Sequence, residues 1–471
     1  MLSVKKATKF AVANLIIVST VFSSVTPAIA QSDKSSKDES FAVGNTKNPK
    51  NVIFLVGDGM GPSFNTAYRY YKNDPHAKEM TPTAFDSYLK GTNRTYSNDP
   101  KQNITDSAAG GTAFSSGHKT YNGAIGVDSN KQKVKTVLER AKEKGKSTGL
   151  VSTAELTDAT PAAYAAHVTS RDDKNEIAKQ FYKDKINGKH KVDVLLGGGA
   201  KYFGKSNGNL DKKFKNDGYD LATNSKELSK SDKDKVLGLF ADKNMPLAID
   251  ASKDEPSLAD MQQSALSKLE RNKKGFFLMV EGASIDKSAH SNDITGVMSE
   301  MEGFEKAFDD AIQYAKKHKD TLVVATADHS TGGLTIGKDK GYEWNPQPIK
   351  SMKHSGSYMT EKMAKGEDPE KVINEGYGFE FSQDDMKKVK KENKKLKRLL
   401  KKEKDAEVET QTKALQHAIQ KPVNDKSYTG WTSDGHTGED VNTYAYGPRS
   451  ESFSGNIENT ESAKIIFDIF K

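Results

Sequence analysis

Three acidic residues stand where a metal-assisted reaction would need them. Asp58 lies just beyond the apolar run Val52 to Val56, Glu281 beyond Phe276 to Val280, and Asp328 beyond Leu322 to Ala325. Each is therefore at the carboxyl end of a candidate strand, the edge where open α/β sheets place their ligands. One such acid alone reads as a solvated turn residue. Three together, the last joined to His329, point to a metal site. Asp286 and His290 are four residues apart, on one face of a helix, where they can grip one cation. The run Thr105-Asp106-Ser107-Ala108-Ala109-Gly110-Gly111 is built of small residues that let a backbone approach a ligand. A serine at the amino end of a helix would sit in a positive field suited to a phosphate or an alkoxide. Taken singly, these features keep plainer readings. The Ser107 run could be a helix cap, Asp286 and His290 a surface pair, and Asp158-Ala159-Thr160-Pro161 an ordinary helix start. His436, in a glycine-rich loop, has no local clue to its purpose.

The elements that must position these residues follow from hydrophobic pattern. Val52 to Val56, Thr148 to Val151, Val192 to Leu196, Phe276 to Val280 and Leu322 to Ala325 are apolar without strict alternation, as in strands covered on both faces. Helical periods lie between them, for example Met298, Met301, Phe304, Phe308 and Ile312. The alternation predicts an α/β fold: a doubly wound, mostly parallel central sheet with helices on both faces. From about 341 to 427 the strand and helix rhythm fades, which predicts a smaller inserted subregion. Within it Met386, Val389, Leu396 and Leu400 form a helical seam beneath a run of lysines.

Residues 51 through 61, the Asp106-Ser107-Ala108-Ala109 segment, 152 through 171, 280 through 287, Thr326-Ala327-Asp328-His329 and His436-Thr437-Gly438 together resemble the signatures of the alkaline phosphatase family, in family order across nearly the whole chain. The resemblance implies a phosphate-monoester hydrolase releasing inorganic phosphate through a phosphoserine on Ser107. It implies two zinc ions, one held by Asp286, His290 and His436 and the other by Asp58, Asp328 and His329. A magnesium ion would use Asp58, Thr160 and Glu281, with Asp158 reaching it through water. Arg171 would clamp phosphate, Asp106 would orient Arg171, Lys287 would meet phosphate through water, and the chain would form a homodimer. Two departures stand out: Gly110-Gly111 replaces more helix-favouring residues after the nucleophile, and the 341–427 insertion matches no family motif. A sulfatase would need a different motif around its nucleophile, and the pairing of Arg171 with Lys287 favours a monoester dianion over a diester.

Composition sets the setting. Lys5, Lys6 and Lys9 precede an apolar stretch from Phe10 towards Val25 and then Ala28-Ile29-Ala30, the pattern of a signal peptide spanning 1–30. Residues 31–48 read as a flexible tether and 49–471 as the catalytic domain, so the chain is expected to be secreted or cell-surface associated, with no transmembrane segment after cleavage. The absence of cysteine excludes disulfides and thiolate-bound zinc. The formal charge is +8, but Lys387 to Lys404 holds eleven basic residues against Glu392 and Glu403, and the rest of the mature chain is mildly acidic. A general nucleic-acid surface is not indicated. For 387–404 the plainer expectation is a solvated helix face, and the sharper one is attraction to anionic cell-surface polymers.

Overall fold

The computed structural model describes residues 47–74, 76–339, 342–402 and 405–471. The signal peptide at 1–30 and all but the last two residues of the tether lie outside them. The main sheet has ten strands. In chain order these are β1 (Asn51–Gly57), β2 (Leu89–Arg94), β3 (Ser147–Glu155), β4 (Val194–Gly198), β5 (Asp220–Ala222), β6 (Val236–Leu239), β7 (Phe276–Gly282), β8 (Thr321–Thr326), β9 (Val441–Tyr446) and β10 (Gly455–Glu458). Across the sheet they run β10-β2-β9-β8-β1-β7-β3-β4-β6-β5. Only β9 is antiparallel to its neighbours; every other pairing is parallel.

The five apolar runs of the sequence are the five contiguous strands β8-β1-β7-β3-β4 at the centre of this order. Their lack of polar alternation has a direct cause. On β1, Ile53 and Leu55 enter one core layer while Val52, Phe54 and Val56 enter the other. Side chains of a strand point to alternate faces, so a strand covered on both sides must be apolar throughout. One face is covered by the helix Ile294–Lys317, which buries Met298, Met301, Phe304, Phe308 and Ile312. The other is covered by the helices Ser107–Ser116 and Asn459–Ile469, through Ala108, Phe114, Ala463 and Ile466.

The described residues of the insertion form helices joined by turns and short irregular segments. It contains Gln347–Ser351, Gly356–Ala364, Pro369–Gly376, Gln383–Leu400 and Asp405–Ser427, the last two packed together. The fading rhythm marked the loss of strands, not of order. Val389 and Leu396 are buried and Met386 packs against the same core, as expected of the seam, but Leu400 is exposed in the last turn of its helix.

Strand register aligns the acids. Val56 of β1 pairs with Glu281 of β7 on one side and with Thr326 of β8 on the other, and Glu281 also pairs with Ser152 of β3. Asp58 and Asp328, each two residues past a paired position, therefore leave the sheet side by side. The Gly59 amide donates to Asp328 Oδ1 at 3.1 Å, which ties the two turns together.

Candidate active site

Ser107 is the first residue of the helix Ser107–Ser116 and is 3% exposed. Asp106 caps that helix: its Oδ1 accepts from the Ala109 amide at 2.9 Å, and its Oδ2 accepts from the Gly123 amide at 2.9 Å. The amino end of the helix is thus fixed around the serine, and the helix field favours negative charge on its oxygen. Ser107 Oγ lies 3.2 Å from His329 Nε2. The two glycines, Gly110 and Gly111, let this helix approach its neighbours closely. A Cβ on Gly110 would stand 3.1 Å from Asp328 Cβ, and one on Gly111 would stand 3.2 Å from Ala163 Cβ in the helix that carries Thr160.

His329 is the hub of the site. Besides Ser107, its Nε2 lies 3.2 Å from Asp328 Oδ2 and 3.5 Å from Asp58 Oδ1. Both carboxylate oxygens are buried and accept no hydrogen bond from the described residues. An orphaned buried carboxylate oxygen is costly unless a cation meets it. Asp58, Asp328 and His329 present ligand atoms within 4.8 Å of one another, and so do Asp286, His329 and His436. His290 joins the second group, with Nε2 at 3.3 Å from Asp286 Oδ2 and 3.2 Å from His436 Nε2. The sequence placed His329 in one group alone; the structure puts it within reach of both, its ring stacked on His436 at a centroid separation of 3.6 Å.

Outer contacts orient these rings. His290 Nδ1 donates to the Asp434 carbonyl at 2.6 Å and His436 Nδ1 to the Thr105 carbonyl at 2.9 Å, leaving each Nε2 free to ligate. Burial holds His329 and His436 down at about 4, so both are neutral. Burial and the neighbouring carboxylates raise Asp58 well above the usual range, and burial pushes Asp328 up to about 6. Neutral imidazoles beside carboxylates short of positive charge are a donor set matched to divalent cations.

Beside this pair of groups, Glu281 is buried next to Ser152 and Thr160, and burial pushes it up to about 7. Asp58, Thr160 and Glu281 are neighbours and offer only oxygen, a set suited to a hard cation. Asp158 caps the helix Ala159–Ala165. Its carboxylate faces cations: Oδ2 accepts from Lys287 at 2.9 Å and Oδ1 from Arg171 at 3.2 Å, with Lys174 at 3.9 Å. Burial would raise Asp158, yet Lys287, Arg171 and Lys174 outweigh it and hold the carboxyl well below its ordinary range. Arg171 donates from its other terminal nitrogen to Asp106 Oδ2 at 3.1 Å. The guanidinium is held between two carboxylates, with its remaining donors available to an anion.

Four contributors escaped the sequence reading. Thr331 donates to Asp286 Oδ1 at 2.5 Å and lies 3.3 Å from His329 Nδ1. Ser152 donates to Glu281. Lys174 pairs with Glu155 and approaches Asp158. Thr331 stands two residues past His329 and Ser152 ends the Thr148 to Val151 run, so position was the only available signal. Glu155 lies inside the 152–171 segment without an assigned role there, and nothing in sequence marks Lys174.

Comparison with known proteins agrees with this geometry. The model of the family described as alkaline phosphatase matches residues 49–471. Alkaline phosphatase 3 of Bacillus subtilis (strain 168) is 49% identical over 463 residues, covering 98% of this chain and 96% of that protein. The crystal structure of a cold-active alkaline phosphatase from Shewanella sp. superposes with a TM-score of 0.80 at 38% identity, covering 89% of this chain and 100% of that one. A TAB5 alkaline phosphatase variant with Mg bound in its M3 site is 28% identical with a TM-score of 0.64, covering 90% of this chain and 99% of that one. With the family model matching residues 49–471 and a relative at this identity covering 98% of the chain, the chain belongs to the alkaline phosphatase family.

Proposed function

We propose that this phosphate-monoester hydrolase works through a phosphoserine on Ser107, with two zinc ions and one magnesium ion in the donor groups described above. The observation that carries the reading is the convergence on one buried serine of a helix amino end, His329 at 3.2 Å and an arginine fixed between two carboxylates. Asp286, His290 and His436 would hold one zinc and Asp58, Asp328 and His329 the other. Asp58, Thr160 and Glu281 would hold magnesium, with Asp158 acting through water. When bound, such ions stabilise the serine alkoxide and the departing alkoxide and supply a nucleophilic water at neutral pH.

The chain's own residues do the rest. Arg171 takes two phosphate oxygens with the donors it does not spend on Asp106 and Asp158, orienting phosphorus in line with Ser107 Oγ. Ser107 releases its hydroxyl proton to solvent, attack forms the Oγ–P bond and breaks the ester P–O bond, and the departing alkoxide takes a proton from solvent to leave as the alcohol. Water then cleaves the Oγ–P bond from the opposite side, restoring the serine and releasing phosphate. Lys287, held by Asp158, keeps positive charge near the phosphate through a water. The oxygen-only character of the third donor set favours magnesium over zinc, and the TAB5 variant supports an ion of that kind in a family member. Export through cleavage after Ala30 and assembly as a homodimer complete the proposal.

Acid quenching of the enzyme during turnover of a labelled monoester, followed by peptide mass spectrometry, tests it. Phosphate on Ser107 supports the reading; phosphate on any other residue overturns it.

A further inference from the structure

A cavity of about 990 Å³ opens between the helices Ser225–Lys230 and Leu258–Leu269 and the segment 245–257, and it reaches the helix Ile294–Lys317. Ser107, Arg171 and the proposed metal ligands are absent from its walls. Leu228, Met245, Leu258 and Phe304 make part of the lining apolar, and serines make much of the rest polar.

Two buried charged side chains line this cavity, and neither has a counter-charge. Glu300 is 6% exposed. Its Oε1 accepts from the Ala248 amide at 2.7 Å, whereas Oε2 accepts none from the described residues and retains surface open to the cavity. Lys268 is 4% exposed. Its Nζ donates to the Ser231 carbonyl at 3.2 Å and to Ser264 Oγ at 3.1 Å, which leaves one of the three ammonium donors unspent. Among the described residues no cation pairs with Glu300 and no carboxylate pairs with Lys268. Burial opposes charge at both, pushing Glu300 up to about 7 and Lys268 down. A buried charge without a partner is costly, and a ligand bearing one charge of each sign relieves both.

The spacing of the two charges sets the length of such a ligand. The helices that carry them run side by side in the same direction: Gln262 donates to the Ala307 carbonyl at 2.7 Å, Gln263 to Asp310 at 3.1 Å, and the Tyr314 hydroxyl to Glu270 at 3.3 Å. Lys268 Nζ folds back one turn, to Ser264. Carried back along both helices, the pairing puts Glu300 about nine residues before the level of Ser264, so the two charges stand about 14 Å apart along the helix axis.

We propose that this cavity binds a short peptide with free termini, about four residues long in extended form, its amino terminus donating to Glu300 Oε2 and its carboxylate accepting from Lys268 Nζ. A simple amine or a simple acid would meet one charge and leave the other. Between the ends, the apolar walls take side chains and the serine hydroxyls take peptide groups. The site stands apart from Ser107 and does not rest on the phosphoserine mechanism.

Calorimetric titration of the metal-loaded enzyme with tetraalanine tests this. Acetylating the peptide's amino group or amidating its carboxylate should each weaken binding roughly 30-fold, on the scale of one hydrogen bond between charged groups. Glu300→Gln should lose as much towards tetraalanine and nothing further towards the acetylated peptide. Lys268→Met should behave likewise towards the amidated one. Dialanine, too short to reach both ends, should bind no better than the blocked tetrapeptides. Both variants should turn over 4-nitrophenyl phosphate normally, which shows that they are folded; if either does not, the peptide series on wild type decides alone. Tetraalanine should leave the KM for 4-nitrophenyl phosphate unchanged. The proposal is overturned by absence of binding at millimolar tetraalanine, by equal affinity for free and blocked peptides, by losses that add between a variant and its matching block, or by competition with 4-nitrophenyl phosphate.

Discussion

Arg171 offers the sharpest test of how the anion site is built. Its two terminal nitrogens are committed to Asp106 at 3.1 Å and Asp158 at 3.2 Å, which fixes the plane of the guanidinium before any phosphate arrives. A lysine in its place keeps the charge but has a single nitrogen, unable to be held by both carboxylates and to span two phosphate oxygens at once. Replacing Arg171 with Lys should therefore forfeit two charge-assisted bonds to the transferring phosphoryl group. At about 1.5 kcal/mol each, the loss is about 3 kcal/mol, or roughly 150-fold in kcat/KM for 4-nitrophenyl phosphate. Asp106 acts on phosphate through Arg171 as well as through the helix cap. Asp106→Asn should then cost much less in the Arg171→Lys background than alone, with a coupling of about 1 kcal/mol or more. Steady-state kinetics on the four proteins of this cycle, with metal content and melting temperature checked for each, supply the numbers. A lysine variant within threefold of wild type, or strict additivity between the two sites, would refute the idea of an arginine held by its carboxylates.

Gly110→Ala should raise helix propensity by up to about 1 kcal/mol yet lower zinc retention and turnover, because its Cβ would press at 3.1 Å on an Asp328 held by the Gly59 and His329 amides; full zinc content with unchanged kcat counts against this. Glu300 is buried in the helix Ile294–Lys317, accepts from the Ala248 amide at 2.7 Å and is pushed by burial from 4.5 up to about 7. A raised carboxyl binds its proton more tightly folded than unfolded, so wild-type stability falls as pH rises from about 4.5 to 7. Glu300→Gln should consequently be more stable than wild type by up to about 3 kcal/mol at pH 8 and show no such gain at pH 4, read from urea midpoints; an equal effect at both pH values contradicts the sign. Chelation should lower the melting temperature by several degrees, since each ion present at a hundred times its Kd contributes about 2.7 kcal/mol, and added zinc should restore it; a calorimetric trace indifferent to chelator would mean that Asp58 and Asp328 need no cation.

The central strands were legible because burial on both faces leaves an unbroken apolar signature, as in Phe276-Phe277-Leu278-Met279-Val280. The outer strands were not. Leu89–Arg94 and Gly455–Glu458 are largely polar and gain their strand character from pairing with each other and, for β2, with β9. Asp58, Glu281 and Asp328 could be grouped from sequence because each follows a readable strand. His290 and His436 could be grouped only by resemblance, since loop geometry brings them to 3.2 Å and no local period encodes it. The same applies to Lys174, whose approach to Asp158 depends on how two helices start after separate turns. The packing role of Gly110 was not legible for a related reason. A glycine in a helix reads as a propensity cost until the partner across the contact, here Asp328, is visible.

The register that aligns Asp58 with Asp328 joins residues 269 positions apart at the Gly59 to Asp328 bond, and the other donor group reaches from Asp286 to His436. No short stretch of the chain contains either donor group. A polypeptide still emerging from synthesis or translocation, with β8 or the His436 loop missing, presents single carboxylates and imidazoles that compete poorly for zinc. With cations bound as proposed, high-affinity uptake would wait until the last strands have docked, and the ion would act as an inspector of completed folding.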